Sequence, residues 1–322
     1  MPQIDKYLKL IVEHKASDLH YSTGCRPILR IDGGLVALRN EEPITAQTAK
    51  TVLYEIMPPK NEAEFNETND TDFAYELEGV ARFRVNIFRD HKGIGGVFRV
   101  IPSKILSFED LALPESITKF CNLTKGLVLV TGPTGSGKST TLAAMIDYIN
   151  NNRNDHIITI EDPIEFVHNN KRCLVNQREV YSHTTSFKAA LRAALREDPD
   201  IVLVGEMRDL ETTHIAIETA ETGHLVFGTL HTTTAISTVN RLIDQFPYEQ
   251  QGQIRLMLAD TLKGVVAQNL LKKKGGGRVG VYEVLVVTPA VSALIREAKT
   301  SQVMTIMQTG KKEGMTLLNE EL

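Results

Sequence analysis

Eight residues constrain this chain more than any others. Gly132-Pro133-Thr134-Gly135-Ser136-Gly137-Lys138-Ser139 satisfies G-x-x-x-x-G-K-[ST] in full. It follows an apolar run at 127–131 and precedes a helical pattern that starts near Thr140. Each residue type has a physical reason. Glycines let backbone N–H groups turn toward one centre with no Cβ in the way. The helix N-terminus adds a partial positive field. Lys138 can neutralise β- and γ-phosphate oxygens, and the Ser139 hydroxyl can ligate Mg²⁺. The pattern therefore predicts ATP and Mg²⁺ at residues 132–140, on a strand–loop–helix unit of an α/β sheet.

The rest of the chain bounds what surrounds that unit. At 322 residues, 42% hydrophobic and 24% charged, it has the length of about two domains. The formal net charge of -4 gives no general attraction to nucleic acid or anionic lipid, so no nucleic-acid partner is expected. Cys25, Cys121 and Cys173 are far apart, which fits a reducing compartment and neither a disulfide frame nor a zinc site. The opening MPQIDKYLKLIVEH mixes charged and apolar residues at helical spacing, unlike a signal peptide. No apolar stretch is long enough to span a bilayer. A cytoplasmic protein that meets the membrane only through partners is the expectation.

Patterning divides the chain. Residues 5–14 read as an amphipathic helix. Short strands follow at 18–21, 28–31 and 35–38, with Asp32-Gly33-Gly34 as a hairpin turn, then a helix at 45–57 that stops before Pro58-Pro59. Strands resume at 73–77, 81–88 and 95–100, so residues 1–100 predict a small α+β domain. Ile101-Pro102-Ser103-Lys104 predicts a hinge, because proline fixes its own φ and disfavours helix before it. A linker at 101–111 and an ATPase domain at 112–322 complete the expected layout. In that domain unbroken apolar runs at 127–131, 157–160, 201–205 and 225–230 suit parallel strands covered on both faces. Helical patterns lie at 140–150, 186–196 and 210–221, and a mainly helical tail is expected from 248 onward. Lys272-Lys273-Lys274-Gly275-Gly276-Gly277 reads as a solvated loop.

Hydrolysis requires acids near the phosphates. Ile201-Val202-Leu203-Val204-Gly205-Glu206 is an apolar strand ending in a carboxylate, at the sheet edge where nucleotides bind in open α/β folds. Glu206 is expected to hold the magnesium shell or orient water. Glu161-Asp162-Pro163-Ile164-Glu165 ends another apolar strand with three carboxylates, whose mutual repulsion raises their pKa values. Pro163 breaks that strand, which makes Glu165 the first candidate to activate water and Glu161 the second. His231, in Gly228-Thr229-Leu230-His231-Thr232-Thr233, follows a third buried strand and could sense the γ-phosphate. Taken alone, such a histidine is more often structural than a sensor. His168, His183 and His224 acquire no role.

The phosphate loop, Glu161-Asp162-Pro163-Ile164-Glu165, Gly205-Glu206-Met207-Arg208-Asp209 and Gly228-Thr229-Leu230-His231-Thr232 occur in fixed order. Together they resemble the secretion ATPase superfamily, in its PilT-like branch of type IV pilus retraction ATPases, over nearly the whole chain. Ser17-Asp18-Leu19-His20 resembles that family's N-terminal signature, and residues 289–299 its C-terminal retraction motif. The resemblance implies a RecA-like P-loop ATPase domain joined to a smaller PAS-like domain. It also implies a homo-hexamer that holds ATP between domains at subunit interfaces and drives an inner-membrane pilus platform protein. It places the catalytic glutamate at Glu165, the Walker B glutamate at Glu206 and the family's His box at His231. The family's N-terminal domain brings arginines to the phosphates; the matching positions are Arg84 and Arg99, with Arg82 the alternative to Arg84. Val291-Ser292-Ala293 stands where the family usually has Ile-Arg-Asn, and the sequence stops at Leu322 where family members commonly carry a further helical tail. No four-cysteine zinc motif is present, which favours retraction over assembly or type II secretion. A DNA-translocating motor and a nucleotide-gated adaptor are the rival readings.

Overall fold

The computed structural model describes residues 2–101, 104–274 and 277–320. The chain forms two compact units, Met1–Lys104 and Ile105–Leu322. Pro102 and Ser103, at the centre of the expected hinge, lie outside the described residues.

The first unit runs α1 (Asp5–Glu13), β1 (Asp18–Ser22), β2 (Ile28–Ile31), β3 (Gly34–Ala37), α2 (Ala46–Tyr54), α3 (Pro59–Thr68), β4 (Asp70–Leu77), β5 (Ala81–Asp90) and β6 (Gly93–Ile101). Its strands form an antiparallel sheet in the order β3-β2-β1-β6-β5-β4. Period-2 alternation sorts the two faces. Phe83, Val85 and Ile87 of β5, with Leu19, Tyr21 and Phe98, pack in one core with Leu8 and Ile11 of α1, Val52 and Leu53 of α2 and Phe65 of α3. Arg82, Arg84 and Asn86 alternate with them and take the other face. The sequence reading missed α3, whose polar sequence PKNEAEFNET offers only Phe65 to the core. Pro59 at its first turn starts it, and Asn69, left-handed at φ 64°, ends it.

The second unit begins with α4 (Glu115–Cys121) and β7 (Gly126–Thr131), then α5 (Lys138–Asn152), β8 (His156–Glu161), β9 (Leu174–Glu179), α6 (Phe187–Ala194), β10 (Ile201–Val204), α7 (Leu210–Glu221), β11 (Leu225–Leu230), α8 (Ala235–Asp244) and α9 (Tyr248–Thr261). The chain then makes β12 (Leu262–Lys272), β13 (Arg278–Val286), α10 (Pro289–Arg296) and α11 (Val303–Thr309). The sheet order is β13-β12-β7-β11-β10-β8-β9, parallel from β12 to β9, with β13 antiparallel at its edge. Every residue of β7, β10 and β11 is buried because both faces are covered. Leu127 and Leu129 pack with Ile215, Leu242 and Leu258 of α7, α8 and α9. Val128 and Val130 pack with Ile117 of α4 and Met145 and Ile149 of α5.

The expectation of a mainly helical tail is corrected in part. Helices α9, α10 and α11 are present, but β12 and β13 form a long hairpin that joins the sheet beside β7, with residues 264–272 paired in register with Arg278–Val286. Val265, Val266, Val279, Val281, Val284 and Val286 are β-branched and lose less rotamer freedom in a strand than in a helix. The open edge of β7 supplies the partner. Lys273 donates its backbone N–H to Gly277 O at 3.1 Å across the Lys/Gly-rich loop, of which Gly275 and Gly276 lie outside the described residues.

Candidate active site

Four strands deliver the sequence motifs to one edge of the sheet. Ile160 of β8, Val204 of β10 and Gly228 of β11 stand level, and Leu230 is level with Thr131, the last residue of β7. Glu161, Glu206, His231 and Gly132 thus emerge together at the carboxyl end of the parallel strands, where crossovers leave a crevice. The loop glycines occupy conformations that side chains resist: φ is 147° at Gly132, 79° at Gly135 and 89° at Gly137. Ser136 N–H donates to Pro133 O at 3.1 Å, and α5 starts when Thr141 N–H donates to Gly137 O at 3.0 Å. Pro133, Thr134 and Gly135 are exposed, and Lys138, Ser139 and Thr140 are half-buried at the mouth of the helix. Lys138 Nζ donates to Gly132 O at 2.9 Å and to Pro133 O at 3.2 Å. Burial pulls the Lys138 ammonium below its ordinary range, against the fields of Glu206 and Glu165. Those two carboxylates are the ones the lysine feels.

Glu206 is held by an arginine and a histidine. Its Oε1 accepts from His231 Nε2 at 2.9 Å and pairs with Arg208 Nε at 2.6 Å. Burial pushes its carboxyl up, but Arg208 and His231 outweigh burial and hold it below the ordinary carboxylate range. Neither of these contacts uses Oε2. Asp209, three residues on, caps α7 by accepting from Thr212 N–H at 2.8 Å. The run Gly205–Asp209 thus divides its polar residues between the site and a helix end.

The acidic segment after β8 separates its glutamates. Glu161 turns inward, where its Oε1 accepts from Thr159 Oγ1 at 2.6 Å and Gln177 Nε2 at 3.1 Å, and burial raises its pKa. Glu165 is exposed. Its loop is tied down from β9, a strand the sequence reading missed. Gln177 donates to Phe166 O at 2.8 Å and accepts from His168 N–H at 2.7 Å, while Glu179 accepts from Ile164 N–H at 3.1 Å. Ser139, Thr159, Glu161 and His168 line a cavity of about 40 Å³ behind the loop, with Thr229 on its wall.

The arginines stand on the polar face of the first unit's sheet. Arg84 of β5 lies directly opposite Arg99 of β6, and Arg99 opposite Asp18 of β1. Arg99 Nε pairs with Asp18 Oδ1 at 2.8 Å while most of its side chain stays exposed, and Arg84 Nε stands 3.8 Å from Asp72 Oδ1. Burial pushes the Asp18 carboxyl up, but Ser17 and Arg99 outweigh it and hold it low. Arg82 pairs in register with Ile101 at the ladder's end. The sequence reading assigned no role to Asp18 or Arg208. Both lay within quoted motifs, and their only signal was charge on a strand or beside a strand-end acid.

The donor set suits Mg²⁺ with a nucleotide. Magnesium keeps several waters and takes one or two protein oxygens beside substrate phosphates, which Ser139 Oγ and the carboxylate of Glu206 can provide. Among the described residues no cluster of three or more His, Cys, Asp or Glu forms a metal cage. A parallel sheet with a glycine loop opening α5, an ionised strand-end carboxylate and a histidine on that carboxylate defines a RecA-like P-loop ATPase.

Comparison with known proteins narrows the class. The model of the Type II/IV secretion system protein family matches residues 1–321, and the chain belongs to that family. The chain is 53% identical over 316 residues to the type IV pilus retraction ATPase PilT of Pseudomonas aeruginosa, covering 98% of this chain and 92% of that protein. It is 50% identical over 299 residues to a twitching motility protein of Neisseria gonorrhoeae, covering 92% and 80%. Its fold matches a crystal structure of the pilus retraction motor PilT with bound ADP at a TM-score of 0.92 and 45% identity, covering 100% and 96% of the two chains. The Legionella pneumophila ATPase DotB matches at 0.83 and 29% identity, covering 99% and 89%.

Proposed function

We propose that this protein hydrolyses Mg·ATP to power retraction of type IV pili, and so twitching motility. The observation that carries the reading is 53% identity to a retraction ATPase over 98% of the chain. In this reading residues 132–140 hold the phosphates, with Lys138 on the β- and γ-oxygens. Ser139 and Glu206 hold Mg²⁺, which when bound offsets phosphate charge. Glu165 accepts the proton of the attacking water, and its exposed position on a tethered loop supports that role over Glu161, which is half-buried and held by Thr159 and Gln177. His231 links loss of the γ-phosphate to Glu206 through their hydrogen bond.

Arg84 and Arg99 supply cations to the γ-phosphate. They stand opposite one another in the ladder with much of each side chain exposed, which supports their meeting one anion together. The motor works as a homo-hexamer in the cytoplasm, at the inner face of the membrane, and moves a pilus platform protein. No helix among the described residues is long and apolar enough to cross a membrane. Deleting the gene tests the whole reading. Surface pili should accumulate and surface motility should stop, with both restored by the wild-type gene and not by a Glu165→Gln copy. Loss of pili on deletion would instead assign the protein to assembly.

A further inference from the structure

The β12–β13 hairpin, which interrupts the expected helical tail, reaches the phosphate loop. Ala267 of β12 pairs with Thr131, the last residue of β7, so Gln268 stands beside the start of the loop. The two backbones nearly touch: a Cβ on Gly132 would lie 2.3 Å from Gln268 O, and one on Gly137 would lie 3.2 Å from Gln268 Nε2. The Gln268 side chain is buried, with the residue 2% exposed, and its Nε2 donates to the Ser136 carbonyl at 2.7 Å. A buried glutamine so placed exceeds what strand pairing needs, since β12 already bonds to β7 and β13 through its backbone. Its Oε1 has no partner among the described residues, so only the donor end is matched, and that end meets the loop.

We propose that Gln268 is a positioning residue for phosphate binding. The reasoning rests on peptide planarity and on the reading that this loop holds nucleotide phosphates. In a trans peptide the carbonyl of one residue and the N–H of the next point in opposite directions. Fixing the Ser136 carbonyl from the β12 side fixes the Ser136–Gly137 plane, and the Gly137 N–H then faces away from β12, into the hollow of the loop. Gly137, at φ 89°, has no side chain to restrict that plane by itself. Gln268 thereby pre-orients a donor that would otherwise be ordered at the cost of binding energy. The same hairpin sends Glu283 Oε1 to the N–H of Ala235 at 2.7 Å, at the start of the helix that follows His231. One element thus braces both sides of the site.

The test is titration of the purified protein with a fluorescent ADP analogue and Mg²⁺. Gln268→Met keeps the length and removes the donor. Its dissociation constant should rise about tenfold, while its ligand-free melting temperature stays close to that of the wild type. Gln268→Glu adds a readout that packing alone would not move. As a carboxylate it repels the Ser136 carbonyl, and once protonated it donates an O–H to it. Its affinity relative to wild type should therefore recover as pH falls from about 8 to about 6, since burial raises a carboxyl pKa. A Met variant within twofold of wild type overturns the proposal. If that variant melts early, the Glu variant decides, and a ratio to wild type that stays flat with pH overturns it. Wild-type protein that fails to bind the analogue would instead count against the phosphate-site reading.

Discussion

Lys138→Ala protein should release phosphate from ATP about 10²–10³-fold more slowly than wild type, and should bind ADP more weakly as well. Two effects add. The substitution removes the ammonium proposed to meet the β- and γ-phosphates. It also removes the Nζ contacts to Gly132 O and Pro133 O that cross the mouth of the loop. Burial already disfavours this charge, so the site keeps it at a cost, offset in part by Glu206 and Glu165. Lys138→Arg separates the two effects. It keeps a positive charge, but a planar guanidinium cannot replace a compact ammonium among loop carbonyls, so most of the activity should still be lost. Steady-state phosphate release and ADP titration, measured on the same preparations, check both outcomes.

The second large effect belongs to a residue of the other unit. Arg99→Ala should lower the turnover number by about 10³-fold or more, the range for arginines that meet a transferred phosphoryl group. ADP affinity should change far less, because ADP lacks the γ-phosphate. Structural collapse is not expected to confuse the result, since the Arg99 side chain is 66% exposed. The buried Asp18 carboxylate loses its nearest cation but keeps Ser17 Oγ at 2.7 Å and Arg30 Nε at 3.8 Å. Pairing Arg99→Ala with Asp18→Asn removes that residual strain and should restore none of the rate. Arg84→Ala should follow Arg99→Ala in direction, because the two stand opposite in the ladder. Normal turnover in Arg99→Ala would remove the first unit's arginines from the chemistry.

The parts of the molecule legible in the sequence were those whose cause is local. Each strand of the central sheet that carries a motif has an uninterrupted apolar run, because both its faces are buried. The loop glycines announce left-handed backbone, and the strand-end acids follow from the loop by the logic of a parallel sheet. The hairpin at 262–286 was misread because its partner strand, β7, lies some 130 residues earlier, and no short window contains that information. Strand β9 was missed for a related reason. LVNQRE is polar on an edge, yet its Gln177 and Glu179 hold the Glu165 loop through contacts invisible to pattern reading. Arg208 and Asp18 sat in plain view. Their pairing with Glu206 and Arg99 required the fold, as did the position of Gln268.

Phosphate release at saturating Mg·ATP, compared between wild type and Glu165→Gln protein of matched ADP affinity, tests the central claim most directly. If the exposed carboxylate on the tethered loop accepts the proton from the attacking water, wild type turns over steadily. The variant then binds nucleotide normally and slows by on the order of 10²–10⁴, the usual contribution of a general base. Equal rates in the two proteins, or steady turnover by neither, would contradict it.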